Sequence, residues 1–328
     1  MTTRAVHVTN ATQPSAPQLG TARRILRVAG LAATLPYLTL KAAWVAGSHV
    51  GIPAGSVLLE HEAFFAVANA VTLAMDATVI LIVLVLTQPW GMRVPGWLLT
   101  VPVFVASGLL APIVMGFPAQ LVAKALGAEV GEAAEAAQAS FLDPWVFTVV
   151  YGGFIIQAIA LAGLFVPYAR ERWGGRWRGP LGQRLPSPTG VGAGVAAAAG
   201  VAVGGVCLYW AFGGSAGLPA QRVAQYSVDT GLVSGAHAIC ALGAGAGALL
   251  LARGGERRAG WPLALTWIGS GAALSWGAWM LLASLLGPDT GVADQPTAAT
   301  LLTYAGQMIT GLLAAAVLAR YLHSRREC

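Results

Sequence analysis

The chain is written twice, and this constrains its fold more than any other feature. Trp44, Gly47, Gly51 and Pro53 recur at constant spacing as Trp210, Gly213, Gly217 and Pro219. The pair Gly96-Trp97 returns as Gly260-Trp261. Tyr151, Gly153, Ile156, Ala162, Tyr168 and Arg172 answer to Tyr304, Gly306, Ile309, Ala315, Tyr321 and Arg325. Trp and Tyr are scarce residues, so matched spacings at three places in one order point to an internal duplication. The spacing between copies shortens before the last match, and one long loop in the first copy, residues 118–142, accounts for it.

The repeated unit reads as a membrane unit. Of 328 residues, 56% are apolar and only 10% charged, against roughly 25% charge in a soluble domain. About 20 apolar residues cross a bilayer as a helix. Eight such stretches are expected, near 28–52, 63–87, 95–117, 144–168, 189–213, 231–252, 261–286 and 298–320. The fold class is therefore an all-α integral membrane protein, with four spans per copy. An even number of spans inserts both copies the same way, so the repeats are parallel and related by an axis along the membrane normal.

The arginines orient the chain. With the N-terminus inside, Arg4, Arg23, Arg24, Arg27, Arg93, Arg170, Arg172, Arg176, Arg178, Arg184, Arg253, Arg257, Arg258, Arg320, Arg325 and Arg326 all fall on the inner side. Only Lys124 and Arg222 fall outside, and Lys41 lies within a span. The positive-inside rule then predicts both termini in the cytoplasm of a multi-pass plasma-membrane protein. The acids Glu60, Glu62, Glu129, Glu132, Glu135, Asp143, Asp229, Asp289 and Asp294 fall on the outer side and give that mouth a negative rim.

The domain reading follows. Residues 1–26, polar and holding Pro14 and Pro17, form a disordered cytoplasmic tail without a secretory signal pattern. Residues 27–172 are the first repeat, 173–188 a cytoplasmic linker with Gly174, Gly175, Pro180, Pro186 and Pro188, and 189–328 the second repeat. The outer loop 118–142 reads as a surface helix with glutamates at a three-residue step. The net charge of +6 does not imply nucleic acid, because the basic residues sit beside the spans. Cys207, Cys240 and Cys328 form no disulfide framework and are expected as free thiols. Scarce Lys with abundant Ala and Gly suits a high-GC bacterial source.

The run Leu208-Tyr209-Trp210-Ala211-Phe212-Gly213-Gly214-Ser215-Ala216-Gly217 resembles the first span of an uncharacterised bacterial, actinobacterial-type family of small four-span membrane proteins. That family carries a Tyr-Trp-Ala-x-Gly-Gly signature there. The first copy departs from it: Ala43-Trp44-Val45-Ala46-Gly47-Ser48 keeps Trp44, Gly47 and small residues. The resemblance implies a tandem fusion of a small unit and brings no activity with it.

Two groups of residues could carry chemistry. Lys41 lies near the middle of the first span and Asp76 near the middle of the second. An ionised group there costs several kcal/mol unless it is paired. Lys41 maps onto Cys207 and Asp76 onto Gly243-Ala244, so both charges are missing from the second copy, as expected of partners. The pair reads either as a proton- or ion-coupled site or as a structural ion pair fixing helix packing. The second group is an outer-side set of His49, Glu60, His61, Glu62, Asn69 and His237. His and carboxylates suit zinc, copper or iron and general acid–base work. Glu60-His61-Glu62 are sequence neighbours and cannot all face one point, so no metal site is assigned. Residues 213–217 match G-x-S-x-G, but that motif needs a strand-to-helix turn and here ends a membrane helix.

Three functions remain. A transporter or permease for a small molecule or ion would use a pathway between the halves and the Lys41/Asp76 pair. A membrane-embedded enzyme on a lipidic or terpenoid substrate would use the outer His/Glu set, although no H-x-x-H, C-x-x-C or Asp-rich pattern is present. A non-catalytic accessory or immunity subunit suits the sparse polar content. Expected partners are the lipid bilayer and a small apolar or amphipathic ligand. A homo-oligomer is compatible, and cofactors are unspecified.

Overall fold

A computed structural model describes residues 20–128, 132–177, 179–287 and 295–325. The tail through residue 19, Glu129, Arg178, Asp289, Asp294, Arg326 and Cys328 lie outside the described residues. Among those described, eight helices are long and apolar enough to cross a membrane. The first unit is built from α1 (Thr21–Val45), α3 (Glu62–Thr87), α4 (Gly96–Ala125) and α6 (Pro144–Trp177). The second is built from α7 (Thr189–Ala211), α9 (Val228–Arg253), α10 (Gly260–Leu286) and α11 (Ala298–Ser324). Short α2 (Val57–Glu60), α5 (Glu132–Phe141) and α8 (Ala220–Ala224) lie in the connections.

The order of packing is the same in both units. In the first, α1 packs on α3 and α6, and α4 packs on α6 and α3. In the second, α7 packs on α9 and α11, and α10 packs on α11 and α9. The ends of α1 and α7 are closed alike. Trp44 Nε1 donates to Val50 O at 2.8 Å, and Trp210 Nε1 donates to Ala216 O at 3.0 Å. The next turns place Gly51 at φ 76° and Gly217 at φ 81°. A Cβ at Gly51 would lie 2.5 Å from Val146, and one at Gly217 would lie 2.7 Å from Ala299. Both neighbours stand near the start of the fourth span of their unit. The carbonyls of these glycines accept from Asp143 N and Thr297 Oγ1 respectively.

The units meet where α4 lies against α10 and α9. Gly108 is the closest point: a Cβ there would sit 2.3 Å from the Gly271 carbonyl. Trp267 Nε1 reaches Ser107 Oγ and Trp276 Nε1 reaches Leu109 O across the same seam.

Several boundaries differ from the sequence expectation. Residues 21–26 are helical rather than tail: Leu26 packs on α6 at Gly163, and Arg23 pairs with Glu171. The first span stops at Val45, because the Gly47 and Gly51 turns follow it. The third runs to Ala125 despite Pro102, Pro112 and Pro118. The fourth runs through Gly174 and Gly175 to Trp177, so the linker is shorter than 173–188. The expected surface helix of the outer loop is α5, covering only Glu132–Phe141. Two strands were not legible, β1 (Pro180–Gly182) and β2 (Gly255–Arg258), which pair antiparallel. Their Gly and Arg residues carry no strand alternation, so their pairing is a tertiary effect.

Candidate functional site

The first unit holds one charge pair inside its apolar interior. α1 is amphipathic about the line Gly30, Thr34, Lys41 and Trp44, all buried. These positions recur at helical spacing and face α3 and α6. α3 answers with buried Asn69, Asp76 and Val83 at seven-residue steps, which keeps them on one face. Lys41 Nζ donates to Asp76 Oδ2 at 2.8 Å, with side chains only 2% and 8% exposed.

The pair is set in aromatic rings. Lys41 Nζ stands 3.7 Å from the centroid of Tyr37, one turn earlier on the same helix. The ammonium therefore meets both a carboxylate and a π face, which suits a cation removed from water. Tyr37 packs edge-on against Phe154 of α6 at 5.3 Å. Phe154 leads to Tyr151, and Tyr151 to Phe117 and Phe147. One turn from Phe154, Gln157 is 2% exposed and its Nε2 makes no hydrogen bond. Thr34 and Thr87 are also buried, but their hydroxyls return to their own helix carbonyls.

The corresponding place in the second unit is neutral. Cys207 stands where Lys41 stands, and its Sγ accepts from Gln307 Nε2 at 3.7 Å. α3 and α9 have equal length and the offset that relates Lys41 to Cys207, so Asp76 answers to Leu242 rather than to the expected Gly243-Ala244, and that position is likewise uncharged. Cys207 and Cys240 are free and buried, as expected.

The outer-side set is not one site. His49, Glu60 and Glu62 are exposed, and His61 sits at the break between α2 and α3. Asn69 donates to Phe65 O within its own helix at 2.9 Å. His237 lies on α9 and packs edge-on against Trp276 at 5.3 Å. No hydrogen bond or ion pair joins any two of these six residues. Among the described residues, no three His, Cys, Asp or Glu side chains gather as a metal site.

Sequence reasoning found Lys41 and Asp76 but missed Tyr37, Tyr151, Phe154 and Gln157 as their surroundings. Tyr37 was readable as the i−4 neighbour of Lys41 on a helix. Gln157 was readable as an amide in the apolar run of the fourth span. No family model, curated protein or solved structure matches this chain.

Proposed function

We propose that this chain is a duplicated plasma-membrane transporter or permease for a small molecule or ion, with Lys41–Asp76 as its coupling site. The observation that carries the reading is a buried, hydrogen-bonded Lys–Asp pair inside one unit of a chain whose other described span charges stand toward the helix ends. An isolated stabilising role is a poor account of it, since apolar residues of similar volume are often as stable as a buried pair. Intramembrane ionisable pairs mark ion and proton pathways.

The route runs inside the first unit rather than along the seam. At the seam, Gly108 and Gly271 bring α4 and α10 too close for a passage. Within the first unit, Asn69, the Lys41–Asp76 pair, Thr34, Gln157 and Thr87 make the buried polar groups of the described interior. Asn69 and Asp76 are two turns apart, about 10 Å along α3. Gln157 offers a donor that no protein group uses. A proton or small cation reaching Asp76 would release Lys41 from its partner, which couples occupancy to the packing of α1 on α3.

The matched Trp hydrogen bonds, glycine turns and packing order support two parallel repeats derived from one small four-span unit. The distribution of arginines supports both termini inside. A cysteine placed at Ala128 should react with an impermeant thiol reagent in intact cells, and one at Arg170 should not.

The direct test uses purified protein in liposomes that trap a pH-sensitive dye. Under an imposed proton gradient and membrane potential, the wild type should carry protons faster than empty liposomes, and Asp76→Asn should remove the excess. Flux equal to that of empty liposomes, or flux indifferent to Asp76→Asn, would reject proton coupling at this pair.

A further inference from the structure

The two inner connections between second and third spans are built differently. In the first unit, α3 and α4 are joined by a 3₁₀ turn, Pro89–Arg93, with the single cation Arg93. In the second unit, α9 and α10 are joined by β2, which pairs with β1 of the inter-unit segment. The sheet is held from several sides. Ala259 N donates to Gly179 O at 3.1 Å, and Leu185 N donates to Ala252 O at 2.9 Å. Tyr321 OH of α11 donates to Leu181 O at 3.2 Å. Gly254, at φ 68°, lets β2 approach so closely that a Cβ would lie 2.5 Å from Gly182 O.

The sheet is apolar beneath and basic outside. Leu181, Leu185 and Ala259 are buried among Leu251, Ala252 and Tyr321. Arg184, Arg253, Arg257 and Arg258 are exposed, and Glu256 is the one acid on the strands. None of the four arginines forms an ion pair among the described residues. β2 follows the last residue of α9 by one residue and precedes α10 by one. Its guanidinium groups therefore stand at the level where membrane helices end. Exposed Trp261, the second residue of α10, marks the same interfacial level.

We infer that the β1–β2 sheet is a binding platform for anionic lipid headgroups of the leaflet it touches. The class follows from chemistry: guanidinium groups meet phosphate bidentately, and cations at the surface attract anionic lipid. Holding Arg257 and Arg258 on a pinned sheet, with Arg253 on the end of α9 and Arg184 just past β1, lowers the ordering cost that a loose loop would meet on binding. The platform also joins the inter-unit segment to α9, α10 and α11, so a bound headgroup tightens the second unit. This inference is independent of the transport reading.

The test uses the full chain in nanodiscs of phosphatidylcholine containing phosphatidylglycerol, with retained lipid counted by native mass spectrometry. The triple variant Arg184→Gln/Arg257→Gln/Arg258→Gln should retain about tenfold less phosphatidylglycerol than wild type, with phosphatidylcholine unchanged. Arg93→Gln should retain as much as wild type. Equal retention by the triple variant, or an equal loss in Arg93→Gln, would overturn the inference. A measurement on the unaltered protein guards against misfolding of the variant. Photoactivatable phosphatidylglycerol should label residues 179–185 and 253–261 in preference to 89–95, and the reverse preference would also overturn it.

Discussion

The two units share a plan and differ in what fills it. The first is spaced by side chains: Val83 and Ala160 meet Gly30, and Leu26 meets Gly163. Prolines stand inside three of its four spans, at Pro36, at Pro102, Pro112 and Pro118, and at Pro167, without ending the helices. The second is spaced by backbone. Cβ atoms at Gly200, Gly269 and Gly311 would lie 2.6, 2.5 and 2.3 Å from backbone atoms of the neighbouring helix. The most apolar stretches of its spans are 33% to 61% buried, against 22% to 28% in the first unit. Small residues at helix contacts are the means by which membrane helices gain van der Waals packing. Proline frees helix carbonyls and permits bending. The second unit is thus packed closely through backbone, while the first keeps charge, rings and prolines inside its helices.

The largest expected effect lies at the charge pair. Lys41→Ala or Asp76→Ala leaves one buried ion alone and should cost about 3–5 kcal/mol. The double variant should cost less than the two single costs together. Unfolding in mixed micelles by denaturant measures all three, and simple additivity would mean that the residues do not stabilise one another.

Next comes the glycine contrast. Gly269→Ala in the second unit drives a Cβ to 2.5 Å from Ala244 N and should cost about 1–3 kcal/mol. Gly152→Ala in the first meets nothing within 4 Å and should be neutral or stabilise by up to about 1 kcal/mol. Equal losses in thermal unfolding would erase the difference in packing.

Tyr37 gives a finer distinction. Tyr37→Leu removes the π face beneath Lys41 and should cost about 2 kcal/mol, while Tyr37→Phe keeps most of it. If the phenylalanine variant is as unstable as the leucine one, the ring face is not what holds the ammonium. The smallest effect tests likeness rather than difference. Trp44→Phe and Trp210→Phe each lose one indole hydrogen bond, at about 1 kcal/mol apiece. Clearly unequal losses would show that the two helix ends are not equivalent.

Much of this was legible in sequence because membrane helices write their constraints locally. Spans are apolar runs, and the Trp44/Trp210 and Gly51/Gly217 matches fix the same turns in both units. The Lys41–Asp76 contact was readable because charge is rare in such runs and both members are absent together from the matched stretch of the second unit. Helix ends were less legible. Arg23 and Arg24 look like tail residues, yet long basic side chains extend from a helix to the interface. The β1–β2 sheet was illegible, since Gly255 and Arg258 pair with β1 only because α9 and α10 bring them there. The outer His and Glu residues looked like a cluster on depth alone. Helix direction separates them, with His49 on the exterior and His237 turned to Trp276.

The central claim is that transport belongs to the first unit and support to the second. It is tested most directly by proton flux into dye-loaded liposomes for two variants, one in each unit, each first checked for a retained fold by its helical circular dichroism and its elution as a single species. Asp76→Asn should abolish the flux, while Gln307→Leu, which removes the polar partner of Cys207 at the corresponding place, should leave it near the wild-type rate. Loss of flux in Gln307→Leu with flux retained in Asp76→Asn would contradict the account.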